Sequence, residues 1–374
     1  MSEINARGGS NRRGLLKAAA IGATGTAILA TPSVSRAQTT LLRFQSTWPQ
    51  RDIFHEFAQD YVTRVNTLGG GRLRVELLAA GAVVGAFQLL DAVSAGTLDG
   101  GHGVTAYHWG KNPAFSLFGT SPPWFGDANQ FLGWFYHGGG EALYNELMRD
   151  ITRVNITGFL TGPMPNQPLG WFRTNIENVE ALRGQRYRTV GLNADVATTL
   201  GMAVVSLPGG EIVPALERGV IDAAEFNNPT SDRLLGFPDV AKNYFLQSYG
   251  QPVESFEVLW NKGKVDALPA ELQQVLRIAA EAASSDMLWK AMDRYPRDLA
   301  AMAAQQGVQV RTTPRPILDA QLRAWDGVLT RYEGTNAFFK KVCDSQRDWC
   351  RRVGAFFLRN TASPAVSYNH FFNR

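Results

Sequence analysis

The chain has 374 residues, of which 45% are hydrophobic and 19% charged, a composition that supports a large buried core and not a disordered polymer. The formal charge is +4, but five basic residues and one acidic residue fall within the first 37 positions, so the rest of the chain is neutral. A neutral body has no broad electrostatic surface for nucleic acid or anionic lipid, which excludes a nucleic-acid partner and makes any attraction for anions local.

The first 37 residues have the pattern of a twin-arginine export signal. Arg12 and Arg13 precede a mildly apolar run over residues 18–31, and a small-residue cleavage site ends at Ala37. The apolar run has about 14 residues, whereas a membrane-spanning helix needs about 20. We therefore expect cleavage after Ala37 and a periplasmic mature protein; a basic disordered tail is the alternative.

Next along the chain, strand and helix patterns alternate. Residues 41–46 read as a strand, and apolar residues then recur every four positions from Ile53, with Asp52 as a suitable N-cap. Three glycines at 69–71 end this helix, and residues 73–77 alternate as a second strand should. Alternating strands and helices predict the α/β class with a largely parallel sheet.

One pattern of ten residues occurs twice. Residues 92–101 resemble residues 215–224: in each copy a helix ends at a glycine, Gly96 or Gly219, and a short strand follows directly. This spacing suits two similar lobes, each an open sheet, although coincidence between two glycine-capped helices is the alternative. Because ligands of open α/β sheets bind beyond the carboxyl ends of the strands, we expect pocket residues at positions 101–104 and 225–228.

These patterns together predict two lobes with a hinge, a cleft between two open sheets and a helical C-terminus. Lobe I should span residues 38–155, with part of 230–262 crossing back to it, and residues 156–229 should form the core of lobe II. Residues 263–374 read as a helical region that packs on both lobes and ends in an aromatic tail.

The candidate ligands of an anion are concentrated in the second lobe. Arg188 stands at the end of a predicted strand, and a guanidinium gives a carboxylate two parallel hydrogen bonds that lysine cannot imitate. Glu225 follows another predicted strand and needs a partner once it is buried. That partner is either Arg188 or a hard cation such as Na⁺ or Ca²⁺ that the amide oxygen of Gln167 also holds.

Other pocket candidates are mostly aromatic. Trp171 and Asn228 belong to the second lobe. The candidates of the first lobe come after predicted strands and are Ser46, Trp48, His102 and Tyr107. For the first-lobe residues, core packing is as plausible as ligand contact, and an aromatic wall would favour a substrate with an apolar tail. No His-Glu-x-x-His or Gly-x-Ser-x-Gly pattern occurs, so the sequence carries neither of these enzyme signatures.

Several longer motifs occur in a fixed order over nearly all of the mature chain. They are Asp91-Ala92-Val93-Ser94, Gly101-His102, Gly138-Gly139-Gly140-Glu141, Gly162-Pro163…Gln167…Gly170-Trp171-Phe172, Leu182-Arg183-Gly184-Gln185-Arg186-Tyr187-Arg188, Leu207-Pro208-Gly209-Gly210-Glu211-Ile212 and Ala215-Leu216-Glu217-Arg218-Gly219-Val220-Ile221-Asp222-Ala223-Ala224-Glu225. Together they resemble the solute-binding subunits of TRAP transporters, in the branch similar to the 2-oxoacid and lactate binders.

The resemblance implies a two-lobed periplasmic binding protein that closes on a small monocarboxylate, a 2-oxoacid or 2-hydroxyacid, and delivers it to membrane permease subunits. It implies that Arg188 clamps the carboxylate, and that Gln167, Glu225 and the backbone carbonyl of Phe226 hold a cation. No organic cofactor is expected. A sensory protein that presents its ligand to a membrane receptor would share this fold and pocket, and an enzyme is the third, disfavoured reading.

Two positions depart from the pattern of this family. Phe226 stands where the family has Trp, a change that a backbone ligand survives. By spacing, the position of a further metal-binding Glu falls on Gln251, whose neutral oxygen lowers the negative charge of the site; Glu254 is three residues away. We therefore expect Na⁺ or no ion in preference to Ca²⁺. The aromatic C-terminal tail either reaches a second subunit of a homodimer, as in similar oxoacid binders, or packs on its own chain.

Overall fold

The computed structural model describes residues 39–373. The export signal predicted over residues 1–37 lies outside this range. Between residues 39 and 373, no helix has both the length and the apolar character needed to cross a membrane.

The strands of the described chain form two sheets. In chain order they are β1 (Thr40–Ser46), β2 (Leu73–Leu78), β3 (Gly100–Gly103), β4 (Ile156–Met164), β5 (Gly170–Phe172), β6 (Arg186–Arg188), β7 (Ala203–Val205), β8 (Ala223–Ala224), β9 (Asn243–Phe245), β10 (Glu254–Asn261) and β11 (Gln309–Arg311).

Helices surround both sheets and make up most of the C-terminal third. They are α1 (Ile53–Leu68), α2 (Leu89–Ser94), α3 (Ser116–Gly119), α4 (Ala128–His137), α5 (Gly140–Glu146), α6 (Asn193–Thr199), α7 (Gly209–Glu217), α8 (Pro229–Leu235), α9 (Phe237–Val240), α10 (Lys262–Asp266), α11 (Ala270–Gln305), α12 (Arg315–Thr335), α13 (Ala337–Asn360) and α14 (Pro364–Phe372). Short 3-10 or π turns occur at Ala86–Gln88, Thr105–His108, Pro113–Phe115, Leu147–Ile151 and Glu180–Leu182.

The two sheets have the same order of their three parallel strands, followed by an antiparallel strand. The first has the order β2-β1-β3-β10-β4 and the second β11-β9-β5-β8-β6-β7. In the first, β1 runs parallel to β2 and β3, and β10 is antiparallel to β3. In the second, β6 runs parallel to β7 and β8, and β5 is antiparallel to β8. Two similar open sheets confirm the predicted two-lobed α/β fold.

The sequence repeat lies at equivalent places in the two sheets. Gly96 and Gly219 both adopt the left-handed conformation, with φ of 79° and 67°, which favours glycine after a helix. Each precedes the third parallel strand of its sheet, β3 or β8. The strands begin at Gly100 and Ala223, three residues later than the sequence pattern predicts, because the residues between them and the glycine complete the turn.

The first helix forms as predicted. Asp52 is its N-cap, and the carboxylate accepts a hydrogen bond of 3.1 Å from the backbone N–H of Phe54. The apolar residues at intervals of four, from Ile53 to Val65, are buried against the first sheet. This helix places its N-terminus, and therefore Asp52, at the edge of the cleft.

The predicted boundary between the lobes at residue 156 is wrong. Residues 156–164 form β4, an edge strand of the first sheet, and do not belong to the second lobe. The physical reason is that β4 pairs antiparallel with β10 along its whole length. The chain crosses to the second sheet in residues 165–169 and returns in residues 246–253. These two crossings are the hinge segments.

The C-terminal helices contact both lobes. Helix α11 packs on β4 of the first sheet and on α8, which follows β8 of the second. Helix α12 packs on α6 of the second lobe, while α13 packs on α5 of the first. The hinge segments are also joined directly, because the backbone N–H of Gln167 donates to the carbonyl of Gln251 at 3.1 Å.

Candidate functional site

Arg188 and Glu225 are neighbours because of strand register. Arg188 ends β6 and pairs with Ala224 of the parallel strand β8, so the residue after Ala224 lies beside the guanidinium. The arginine is 1% exposed; its Nε donates to the carbonyl of Leu207 at 2.8 Å, and its Nη1 donates to Oε1 of Glu225 at 3.1 Å. Its Nη2 is buried without a partner in the described chain, which leaves donor capacity for a ligand.

Glu225 is a buried acid with one oxygen unsatisfied. It is 1% exposed, and its Oε2 has no hydrogen-bond partner among residues 39–373. Burial raises the pKa of this carboxyl to about 7, although the positive charge of Arg188 and a hydrogen bond from Thr189 oppose the shift. A buried carboxylate with a free oxygen can accept a cation or retain a proton.

Gly170 allows the strands to approach closely at this point. Its φ of 111° is in a region that favours glycine, and an added Cβ would lie 2.3 Å from the carbonyl oxygen of Ala224. The same Cβ would lie 2.8 Å from Cα of Glu225. The glycine of the Gly170-Trp171-Phe172 motif therefore sets the position of Glu225.

The hinge segments supply further oxygen ligands. Gln167 donates through Nε2 to Oε2 of Glu254, which leaves Oε1 of Gln167 buried without a partner. Oε1 of Gln251 is buried and unpartnered as well. Asn227 donates to the same Oε2 of Glu254 at 2.6 Å. Amide and carboxylate oxygens that face one cavity with unsatisfied lone pairs fit a hard cation.

Glu254 is a site residue that spacing passed over in favour of Gln251. It opens the fully buried strand β10 and lies next to the cavity together with Gln251. Burial raises its pKa to about 8, and the negative charge of Glu225 adds to the shift. The sequence signal that could have identified it is an acid directly before the mainly apolar run of residues 255–260.

One narrow cavity collects these groups from both lobes, except Glu225, which contacts Arg188 but is not part of the cavity wall. Its polar wall is Gln167, Arg188, Asn227, Gln251 and Glu254, and its apolar wall is Trp48, Phe54, Val104, Tyr107, Val190 and Phe226. The volume open to the centre of a water molecule is about 10 Å³, so the cavity has room for about one water molecule. The two lobes are therefore closed on each other around it.

The aromatic wall fixes the shape of the cavity. The guanidinium of Arg188 lies 5.6 Å from the ring centroid of Phe226, within cation–π range. The rings of Trp48 and Phe226 are 6.5 Å apart, edge to face, and Trp48 and Tyr107 are 5.9 Å apart. Tyr107 lines the cavity as predicted, and burial raises its pKa to about 12, so that its hydroxyl is a neutral donor.

Trp171 and Asn228 do not line the cavity, contrary to their prediction as substrate ligands. Trp171 stacks on Tyr244 at 4.2 Å, and its indole N–H donates to Asp232 at 2.8 Å. Asn228 caps helix α8, because its Oδ1 accepts from the backbone N–H of Ser231 at 2.9 Å. Trp171 is thus directed away from the cavity by its strand, and Asn228 by its role as a helix cap.

His102 lies one layer behind the wall and does not line the cavity either. Its Nδ1 accepts a hydrogen bond of 2.8 Å from the indole N–H of Trp48. Burial and the nearby His55 lower the pKa of His102 to about 3, so the ring stays neutral and keeps its acceptor. His102 therefore positions Trp48 and acts on the cavity only through it.

Within residues 39–373, no three side chains of His, Cys, Asp or Glu lie close enough together to hold a metal ion. The candidate cation ligands include only two such side chains, Glu225 and Glu254. The other side-chain oxygens are the amide oxygens of Gln167 and Gln251. A hard cation therefore fits here better than a transition metal, which prefers imidazole or thiolate ligands.

Comparison with known proteins shows the family to which the chain belongs. The family model for bacterial extracellular solute-binding proteins, family 7 (DctP), matches residues 44–334. The monocarboxylate 2-oxoacid-binding periplasmic protein of Nostoc sp. strain PCC 7120 is 31% identical over 366 residues, which cover 96% of this chain and 98% of that protein.

Two solved structures of TRAP solute-binding proteins have the same fold. One, from Bordetella bronchiseptica, is a mixed-occupancy dimer with calcium and picolinate at one active site; it is 29% identical, with a TM-score of 0.83 over 89% of this chain and 97% of that one. The other, from Pseudoalteromonas atlantica, contains sodium and pyruvate; it is 28% identical, with a TM-score of 0.81 over 90% and 100%. This chain belongs to family 7 of the bacterial extracellular solute-binding proteins, the TRAP-transporter solute-binding subunits that its motifs resemble.

Proposed function

We propose that this protein binds a small monocarboxylate, a 2-oxoacid or 2-hydroxyacid, together with a cation, and delivers it to TRAP permease subunits in the membrane. The observation that carries the proposal is the buried Arg188, whose Nη2 is unpartnered in a cavity closed by both lobes. The name of the Nostoc relative and the pyruvate of the P. atlantica structure support the same ligand class.

Arg188 is held ready for a carboxylate before the ligand arrives. The carbonyl of Leu207 and the carboxylate of Glu225 fix two faces of its guanidinium, so little side-chain entropy remains to be lost on binding. Charge-assisted hydrogen bonds to a carboxylate are the strong ones inside a protein. The remaining nitrogen, Nη2, is the donor that we assign to the substrate.

The charge balance of the cavity calls for a cation. Arg188 contributes one positive charge against the two carboxylates of Glu225 and Glu254, and an anionic ligand adds a further negative charge. Without a counter-ion the two carboxylates would either retain their protons or be buried uncompensated, at a cost of several kcal/mol per ion. We propose that Gln167, Glu225, Gln251 or Glu254, and the backbone carbonyl of Phe226, hold the cation, which would attract the ligand electrostatically.

The identity of the cation follows from how many carboxylates are ionised. Glu254 restores the negative charge that Gln251 removes, so the sequence argument against Ca²⁺ loses its basis. With both carboxylates ionised the site suits Ca²⁺; with one protonated it suits Na⁺. Relatives of both kinds exist, since the B. bronchiseptica structure contains calcium and that of P. atlantica contains sodium.

The cavity wall supports binding in preference to chemistry. Its residues include no serine, cysteine, histidine or lysine that could act as a nucleophile. The relatives reported above are solute-binding proteins.

Calorimetric titration with pyruvate tests the proposed function. Wild-type protein, freed of cations by chelation, is titrated alone, with Na⁺ and with Ca²⁺. We expect saturable 1:1 binding that requires one of the two cations. Arg188→Lys should weaken binding at least 100-fold, whereas Arg186→Lys, in the same strand but exposed and paired with Asp222, should leave it unchanged. Binding that is insensitive to the Arg188 variant would refute the role assigned to this residue.

We also propose twin-arginine export to the periplasm through residues 1–37. The pattern around Arg12 and Arg13 and the extracellular family of the chain support it. Replacing both arginines by lysine should keep the precursor in the cytoplasm, as measured by cell fractionation and immunoblotting. A normally exported double variant would show that another route operates.

A further inference from the structure

A pair of hydrogen bonds joins the lobes at the edge of the cleft. Ser231, in the second lobe, donates through Oγ to Oδ1 of Asp52 in the first lobe at 2.6 Å. The neighbouring Arg51 donates through Nη2 to the carbonyl of Leu235 at 2.9 Å. Two consecutive residues at the N-terminus of α1 thus hold both ends of α8, and we name Arg51, Asp52 and Ser231 the inter-lobe latch.

The carboxylate of the latch is buried and incompletely paired. Asp52 is 2% exposed, and its Oδ2 has no partner in the described part of the chain. Asp232, the residue after Ser231, is also buried with an unpartnered Oδ1. Neither acid forms a salt bridge with any residue between 39 and 373. The hydroxyl of Tyr295, from α11, is a third buried and unpartnered polar group.

The charged groups around the latch are engaged elsewhere. They are Arg51 with the carbonyl of Leu235, His55 with Ser46, Arg294 with Glu56, and Arg233 with Asp298. Within residues 39–373, Arg51 is therefore the one positive charge near Asp52 that no acid neutralises, and it forms no salt bridge with Asp52. A buried carboxylate in this position favours its protonated form.

We propose that closure of the lobes takes up a proton at Asp52, so that carboxylate binding weakens as the pH rises. The proposal rests on the proposed function, because binding of the carboxylate reports closure. Separation of α8 from α1 would return Asp52 to water, where its pKa is ordinary. Closure is then most favourable at low pH, loses this advantage between the open and closed pKa values, and is independent of the proton above both.

The pKa of Asp52 is shifted in the direction that its burial predicts. Burial raises the pKa of Asp52 in the closed protein to about 7, against the opposing effects of Ser231, the backbone N–H of Phe54 and Arg51. Burial also raises the pKa of Asp232 to about 7, and the charge of Asp52 adds to that shift. By linkage, the contribution of Asp52 should weaken binding by about 10- to 100-fold from pH 5 to pH 8.

The Asp52→Asn variant removes the titratable proton of Asp52 but keeps the hydrogen bonds that its side chain accepts. Asparagine is an equally good N-cap, and its Oδ1 can still accept from Ser231 and from the N–H of Phe54, but it cannot ionise. The matched control is Asp127→Asn, at the exposed N-cap of α4, where the carboxylate accepts from the N–H of Gln130 at 2.8 Å. Both substitutions remove one carboxylate from a helix N-cap.

The experiment is pyruvate titration by calorimetry from pH 5 to pH 8, in buffers of different ionisation enthalpy. We expect the wild type and Asp127→Asn to exchange the same number of protons on binding and to show the same dependence of affinity on pH. Asp52→Asn should take up fewer protons and lose about 10- to 100-fold less affinity. Glu225 and Glu254 also exchange protons when the ligand and its cation bind, but both remain in every variant, so the difference between the variants isolates Asp52.

Equal proton uptake by the wild type and Asp52→Asn would overturn the latch while leaving carboxylate binding intact. If no carboxylate binds at any pH, the proposed function fails instead. The latch is then tested by small-angle scattering of the unliganded protein, which should be more compact at pH 5 than at pH 8 in the wild type only. Identical scattering of the two proteins at both pH values would overturn it.

Discussion

At the residue scale, Arg188 has two tasks that the structure ties together. It presents one free nitrogen to the cavity, and it compensates the charge of Glu225, with which it shares a buried salt bridge of 3.1 Å. Removing a single partner of a buried pair leaves the other charge uncompensated, which costs about 3–5 kcal/mol. Loss of binding and loss of stability should therefore accompany each other at this position.

Arg188→Ala should abolish pyruvate binding and lower the free energy of unfolding by about 3 kcal/mol at pH 8. The stability should partly recover at pH 5. The folded-state pKa of Glu225 is raised above its ordinary value, so the folded protein binds the extra proton and gains stability as the pH falls. Urea unfolding at both pH values measures this. Arg186→Ala is the control, since its side chain is exposed; an equal loss in both variants would contradict the argument.

Glu254→Gln tests the charge count of the cation site. The variant keeps the size of the side chain but removes one of two carboxylates, and a divalent ion loses twice the electrostatic attraction that a monovalent ion loses. We expect Ca²⁺ affinity to fall at least ten-fold and Na⁺ affinity to fall less, measured by titration with pyruvate in excess. Gln251→Glu should shift the preference toward Ca²⁺. Unchanged affinity for both ions would place Glu254 outside the cation's ligands.

At the scale of secondary-structure elements, the site depends on how closely β5 and β8 approach. Glycine at position 170 has φ of 111° and no room for a Cβ, and the strand pair it permits places Glu225 beside β6. A small change in the distance between β5 and β8 would therefore displace Glu225, a candidate ligand of the cation. The geometry of the site is therefore a property of paired strands more than of single side chains.

Gly170→Ala should destabilise the protein by at least about 2 kcal/mol, because it combines backbone strain with a clash against the carbonyl of Ala224. Gly184→Ala is the matched control. Gly184 also has positive φ, 74°, but a Cβ there would meet no atom within 4 Å, so only about 1 kcal/mol of strain is expected. Comparing the thermal unfolding of the two variants separates the cost of the steric clash from the cost of backbone strain. Equal midpoints would show that the strands separate without cost.

The same scale explains what could be predicted from the sequence. The α1 helix, its cap Asp52 and the glycines at 96 and 219 depend on local patterns, and the structure agrees with them. The sheet that contains β4 depends on β10, which is about ninety residues further along, so the lobe boundary was wrong. The position of Glu254 depends on a register shift in β10 at Ser255 and Phe256, which spacing along the chain does not reveal.

At the scale of the whole molecule, the C-terminus extends as an arm beyond the body. Residues 354–373 of α13 and α14 are mostly exposed and carry apolar side chains, among them Leu358, which is 87% exposed. Exposed apolar surface of this extent marks an interaction site. The B. bronchiseptica relative is a dimer, and we propose that the arm joins two copies of this chain.

Truncation after residue 352 should convert a dimer to a monomer without affecting pyruvate binding, because the cavity contains no residue beyond Glu254. Multi-angle light scattering of the full and truncated mature proteins measures the mass, and calorimetry measures the affinity. A monomeric full-length protein, or a truncated dimer, would contradict the assignment of the arm.

The position of β10 in the first sheet has a consequence for biosynthesis. This strand lies between β3 and β4 but is made only after the whole second sheet apart from β11. Until residue 261 has left the ribosome, β3 and β4 each expose an edge that can pair with another chain. The second lobe can order itself first, so a nascent chain stalled between residues 245 and 254 should be the form most in need of a chaperone.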